Sequence, residues 1–122
     1  MARILIVDDS PSQLLGMKRI VEKLGHETVT AEDGASGVEV AKSTMPDLIL
    51  MDVVMPNLNG FQATRAISKE PSTANIPVVL VTTKDQETDK VWGMRQGAKA
   101  YITKPFTETQ LVEVINSLLV PG

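Results

Sequence analysis

The chain has 122 residues, 43% hydrophobic and 22% charged, with a formal net charge of −3, no cysteine and one histidine. These figures suit one globular domain with a real core, and they exclude disulfides, thiolate metal sites, thiol nucleophiles and a His-rich metal centre. The acidic balance argues against a nucleic-acid groove, which needs a concentrated basic face. It leaves carboxylates to hold any metal, hence a hard ion such as Mg²⁺.

In chain order, Arg3 to Val7 reads as a first strand ending in Asp8-Asp9. Its apolar run is too short for a signal peptide. Ser10 as N-cap and Pro11 as first helical residue open a helix. Leu14, Met17, Val21 and Leu24 give that helix one apolar stripe, and Gly25 stops it. Glu27 to Ala31 is a more polar strand, expected at a sheet edge. Asp33-Gly34 opens a second helix to about Ser43, with Val38 and Ala41 inward. Leu48 to Met51 is a continuous apolar run suited to a strand buried on both faces, and Asp52 sits where it emerges.

After Pro56, Asn57 to Gly60 forms a turn, with Asn59 capping a helix from Gly60 to about Lys69. Ile76 to Val81 predicts a fourth strand closed by Thr82-Thr83, with Pro77 near its start. Asp85 to Gln96 predicts a helix stopped by Gly97, with Val91 and Met94 on its inner face and Trp92 toward the flank. Gly93, mid-helix, weakens it by about 1 kcal/mol relative to alanine, so this helix is expected to be loose. Lys99 to Thr103 is a fifth strand, followed by Lys104-Pro105-Phe106. Thr107 caps a last helix whose stripe is Leu111, Val114, Ile115, Leu118 and Leu119, and Pro121-Gly122 ends the chain. His26, before the edge strand, is expected on the surface.

Strict strand–helix alternation predicts a parallel sheet with helices on both faces, in a single domain. No apolar stretch approaches the roughly 18 residues of a membrane span, so the expected location is the cytoplasm. In a parallel sheet the carboxyl ends of the strands share one edge, where ligands bind. Asp8, Asp9, Asp52, Thr82 and Lys104 should therefore converge. Any one alone has a structural reading: an acidic pair as a turn and helix cap, a strand-terminal threonine, a solvated lysine. Together, close carboxylates repel by about 4 kcal/mol per pair at an effective dielectric near 20. Lys104 offsets part of that and Mg²⁺ would offset more. The set suits phosphoryl transfer to a carboxylate.

Asp8-Asp9, Asp52 followed by Met55-Pro56 and Gly60, Thr82, Tyr101 and Lys104-Pro105 together resemble the receiver domain of two-component response regulators over essentially the whole chain. The resemblance implies a flavodoxin-like (βα)5 fold with strand order 2-1-3-4-5 and Mg²⁺-dependent phosphorylation by a histidine kinase, Mn²⁺ being an alternative ion. By residue, Asp52 resembles the phosphoacceptor; Asp9, Asp8 and the Val54 backbone carbonyl, with Asp52, resemble the metal ligands. Thr82 and Tyr101 resemble a switch pair, and Lys104, before a cis Pro105, the phosphate-binding lysine. Val54, Thr83 and Lys84 fall where phosphoryl lifetime would be tuned. Lys90 and Trp92 are candidates for a partner surface formed by the fourth helix, fifth strand and fifth helix, although packing of Trp92 against a neighbouring helix is an equal reading. Asn59 to Arg65 and Thr82 to Gly93 are similar to stand-alone regulators of type IV pilus chemosensory systems, which govern twitching motility. That narrower resemblance implies a chemosensory kinase, a monomer with no output domain, and no enzymatic turnover beyond its own phosphorylation and dephosphorylation.

The competing class is an aspartate-nucleophile phosphatase of haloacid-dehalogenase type. Such enzymes place a second aspartate two residues after the nucleophile; here that residue is Val54, and the length leaves no room for a cap domain. A P-loop NTPase is excluded because no G-x-x-x-x-G-K-[ST] is present.

Overall fold

The computed structural model describes residues 1–119, so the Pro121-Gly122 end lies outside the described residues. Strands and helices alternate throughout: β1 Arg3–Val7, α1 Pro11–Lys23, β2 Glu27–Ala31, α2 Gly34–Thr44, β3 Leu48–Met51, α3 Gly60–Lys69, β4 Val78–Thr82, α4 Glu87–Arg95, β5 Ala100–Thr103 and α5 Glu108–Leu118. The strands form one parallel sheet in the order β2-β1-β3-β4-β5. This is the flavodoxin-like order that the resemblance implied.

The apolar runs are continuous because both faces of the central strands are covered. Successive side chains point to opposite faces. Leu5, Val7, Ile49, Met51 and Leu80 pack with Val38 and Ala41 of α2 and Ala63 and Ile67 of α3. Ile4, Ile6, Leu48, Leu50, Val79 and Val81 pack with Met17 and Val21 of α1 and Leu111 and Ile115 of α5. β2 pairs on one side only, with β1, and leaves Glu27 and Thr30 exposed, as its polar sequence predicts.

Several local expectations are corrected. β4 begins two residues later than predicted and ends on Thr82, which pairs with Thr103. Pro77 has no N–H to give a ladder and contributes only its carbonyl, to Ile49, while the Ile76 N–H is taken by Thr73 in a turn. α4 starts at Glu87, where the Asp89 carboxylate in the first turn accepts the Gln86 N–H at 3.3 Å, so Asp85 stays outside the helix. Ser10 occupies the N-cap position of α1 but its hydroxyl makes no cap bond; it meets the Ser12 hydroxyl instead. His26 is half-buried, and its Nδ1 accepts the Ala2 N–H at 3.1 Å.

The largest correction concerns α4. Val91 and Met94 are each 46% exposed and Trp92 is 51% exposed, so none of them forms an inner face. The face turned to the sheet is Gly93, the one buried residue of the helix. A Cβ there would lie 2.6 Å from Leu80 Cδ1 and 3.2 Å from the Tyr101 ring. The glycine therefore permits close approach of α4 to the sheet, and its propensity cost is compensated by contact that alanine would obstruct.

Candidate functional site

Register places the polar residues on one edge. Val7 pairs with Met51, so Asp8 and Asp52 are each the next residue beyond a matched pair. The ladder continues past the strands: Asp52 N–H donates to the Val7 carbonyl at 2.9 Å, and Lys104 N–H donates to the Thr82 carbonyl at 2.8 Å. Four chain segments far apart in sequence thus deliver their side chains to the carboxyl edge of the sheet. Gly60, at the start of α3, is part of this placement, because a Cβ there would overlap the Asp52 carbonyl.

Asp8 is 1% exposed and Asp52 is 7% exposed, whereas Asp9 is open to solvent. Carboxylate oxygens of all three lie within 4.8 Å of one another, a spacing that could hold a metal ion. The Lys104 ammonium is 2.8 Å from Asp8 Oδ2 and 3.8 Å from Asp52 Oδ1. Asp8 Oδ1 also accepts the Ser10 N–H at 2.9 Å, and Asp52 Oδ1 accepts the Val53 N–H at 2.8 Å. Burial pushes the Asp52 carboxyl above its ordinary pKa. Lys104 lowers it, Asp8 raises it, the Val53 hydrogen bond lowers it and Asp9 raises it, and the balance remains upward. One lysine does not neutralise three acids, so the cluster has spare affinity for positive charge.

A family model described as the response regulator receiver domain matches residues 4–116. The chain is a response regulator receiver domain. It is 57% identical to the protein PilH of Pseudomonas aeruginosa over 119 residues, covering 98% of each chain. It spans only 26% to 51% of the longer curated relatives that it matches. Among solved structures, the chemotaxis protein CheY4 of Vibrio cholerae aligns with a TM-score of 0.91 at 30% identity, covering 98% of this chain and 99% of that one. The receiver domain of the sensor histidine kinase PA1611 of Pseudomonas aeruginosa, which has a magnesium ion in its active-site cleft, aligns with a TM-score of 0.89 at 27% identity over 96% of each chain.

Within this receiver domain, Thr82 is fully buried and its Oγ1 accepts the Lys84 N–H at 3.3 Å. The Tyr101 hydroxyl donates to the Lys84 carbonyl at 2.8 Å. The two residues predicted as a switch pair therefore hold the two sides of one residue's backbone. The side chains of Thr82 and Tyr101 alone could not reveal that link. Burial pushes the Tyr101 phenol up to about 12, with further upward pushes from Asp89, Asp85 and Asp52. Lys84 itself is exposed, with its ammonium 3.9 Å from Asp89. Thr83 lies beside the cluster, lining a cleft of about 460 Å³ with Gln13, Lys104, Pro105 and Phe106. The Lys104–Pro105 peptide bond is cis, as the resemblance implied.

Three predicted residues stand apart. The Val54 side chain is 55% exposed beyond β3. Lys90 and Trp92 lie on α4, with Lys90 lining a cavity of about 420 Å³ together with Glu87, Val91, Met94 and Arg95. Gln13 and Phe106 were not anticipated beside the site; neither carries a charge or a distinctive spacing that would have marked it.

Proposed function

We propose that Asp52 is the phosphoacceptor of this receiver domain, and that the observation carrying the reading is the buried Asp52 set beside Asp8 and the Lys104 ammonium at one sheet edge. A carboxylate oxygen of Asp52 attacks the phosphorus of a phosphohistidine. The O–P bond forms, the P–N bond breaks and the imidazole leaves with the electron pair, taking up a proton. Asp8, Asp9, Asp52 and the Val54 carbonyl would hold Mg²⁺, or Mn²⁺ in its place. The fit rests on three hard oxygen donors brought together without enough positive charge. Such an ion, when bound, supplies charge to offset the carboxylates and the phosphoryl oxygens.

Lys104, already 3.8 Å from Asp52, needs a short swing from Asp8 to meet a phosphoryl oxygen. Thr82 can donate its hydroxyl to another, and in doing so exchanges its present partner, the Lys84 N–H. That exchange would free the segment Tyr101 holds and alter the face of α4, β5 and α5 on which a protein target reads the state. Thr83, which lines the cleft beside the cluster, would set phosphoryl lifetime together with Lys84 and Val54, two residues past Thr82 and Asp52. The pathway is a chemosensory one with its own histidine kinase, acting in the cytoplasm on type IV pili and twitching motility; the match with PilH along nearly the whole of both chains supports this. Among the described residues no helix is long and apolar enough to cross a membrane.

Incubating the protein with Mg²⁺ and a small-molecule phosphodonor tests the assignment. Acid-stable but base-labile incorporation of phosphate should appear in the wild type and be abolished in Asp52→Ala; equal incorporation in both would refute it. Adding beryllofluoride separates a target-binding regulator, which then gains affinity for its target, from one that only drains phosphate from a shared kinase.

A further inference from the structure

Lys84 is the residue at which the switch pair meets α4. Its backbone N–H donates to Thr82 Oγ1 at 3.3 Å, its carbonyl accepts the Tyr101 hydroxyl at 2.8 Å, and its ammonium lies 3.9 Å from Asp89 Oδ1. One residue is thus held from β4, β5 and α4 at once. The first two contacts join Thr82 to Tyr101. The third joins both to a carboxylate that the Asp52 cluster does not use.

Asp89 is suited to be the fixed end of that third contact. It lies in the first turn of α4, its Oδ2 accepts the Gln86 N–H at 3.3 Å, and its own N–H donates to the Gln86 carbonyl at 3.0 Å. Its side chain is 22% exposed against 44% for Lys84, so the lysine is the looser partner. After burial, Asp89 gives the largest upward push on the Tyr101 phenol, which sets its charge close to the same switch residue. Asp85 makes a natural comparison: it is exposed, it also pushes the phenol up, and it has no ion pair among the described residues.

We propose that Asp89 is a positioning residue which, through Lys84, braces the resting arrangement of Thr82 and Tyr101 and so opposes phosphoryl binding at Asp52. The brace rests on the reading of Asp52 as the phosphoacceptor. When a phosphoryl oxygen takes the Thr82 hydroxyl, the Lys84 N–H loses its acceptor and the segment between β4 and α4 shifts. An ammonium already at 3.9 Å, the outer limit of ion pairing, parts from the carboxylate on that shift, while Asp89 stays with Gln86. A contact made in one of two states favours that state by its own free energy, and its removal favours the other equally. For a partly exposed ion pair this is a factor of about three.

The full chain is titrated with beryllofluoride in the presence of Mg²⁺, and the affinity is read by calorimetry. Asp89→Asn keeps a side-chain oxygen for the Gln86 N–H, so the start of α4 is preserved, and its affinity should be about threefold above that of the wild type. In Lys84→Met the contact is already gone, so adding Asp89→Asn there should give no further gain, as for any shared contact. Asp85→Asn removes the same charge from a neighbouring position that braces nothing, and it should match the wild type. Unchanged affinity in Asp89→Asn, an equal gain in Asp85→Asn, or the same gain from Asp89→Asn with and without Lys84 would each overturn the brace and leave the Asp52 assignment standing. No binding to the wild type would overturn both.

Discussion

β1 carries a charged cluster at each end, and the two behave oppositely. At its first residue, Arg3 donates through Nε to Glu27 at 2.7 Å, through a guanidinium nitrogen to the Thr44 carbonyl at 2.9 Å, and through its backbone N–H to Asp47 at 2.8 Å. This ties β1, β2, the end of α2 and the approach to β3. Every group there finds a partner, and the Arg3 and Glu27 side chains remain 43% and 48% exposed. At the other end Lys104 is 9% exposed and faces two buried carboxylates with Asp9 nearby. The first cluster is balanced and solvated, so it is a fastening. The second is buried and short of positive charge, and a deficit of that kind is tolerated where a ligand will make it good.

If that contrast is right, Lys104→Ala should be the most costly of these changes to the fold. It leaves Asp8 and Asp52 buried without their cation, and in EDTA the loss should be about 3 kcal/mol by urea denaturation. A loss no larger than that of Arg3→Ala would break the comparison.

Asp52→Asn should act in the other direction. Because folding raises the Asp52 pKa above its ordinary 3.8, the stability it contributes is fully present below that value and is lost as pH rises through the folded-state pKa. The asparagine variant escapes that loss. Without metal it should be more stable than wild type at pH 8, and the difference should vanish on acidification; a pH-independent difference would count against the charge argument.

Arg3→Ala should cost about 1 kcal/mol, the scale of an exposed ion pair plus one hydrogen bond to a carbonyl, and the cost should shrink in high salt. The smallest change is spectroscopic. Tyr101 is the chain's one tyrosine, so the tyrosinate absorbance should rise with a midpoint near 12 in the folded protein and near 10.0 in urea. The neutral phenol therefore favours folding below its ordinary pKa, and that contribution disappears as pH rises through about 12. A folded-state midpoint at the ordinary value would mean that the Tyr101 phenol is not buried near Asp89, Asp85 and Asp52.

Much of this was legible beforehand where one residue type answers one local need. The apolar runs of β1, β3 and β4, the buried stripes of α1 and α5 and the Asn59 and Thr107 caps follow from period and capping chemistry, and each is present. The convergence of Asp8, Asp9, Asp52 and Lys104 was also legible, because parallel strands must end on the same edge. α4 was misread because its pattern has no dominant apolar face: the residue turned to the sheet is a glycine, and hydrophobic periodicity cannot detect a missing side chain. The His26 contact and the Arg3–Thr44 contact were opaque for another reason, since the partners are a backbone N–H at Ala2 and a carbonyl at Thr44. Backbone groups are present at every position and leave no mark in a pattern of side chains.

The amino-acid order by itself determined the alternating elements, the parallel sheet and the family's set of acids, threonine and lysine, because burial on two faces and the geometry of strand ends leave few alternatives. Only the tertiary structure decided which acid is open to solvent, that Lys104 rests on Asp8, that Thr82 and Tyr101 meet at the Lys84 backbone, and that Trp92 stands outside the core. Those outcomes depend on distances between segments far apart in the chain, and such distances are set by packing.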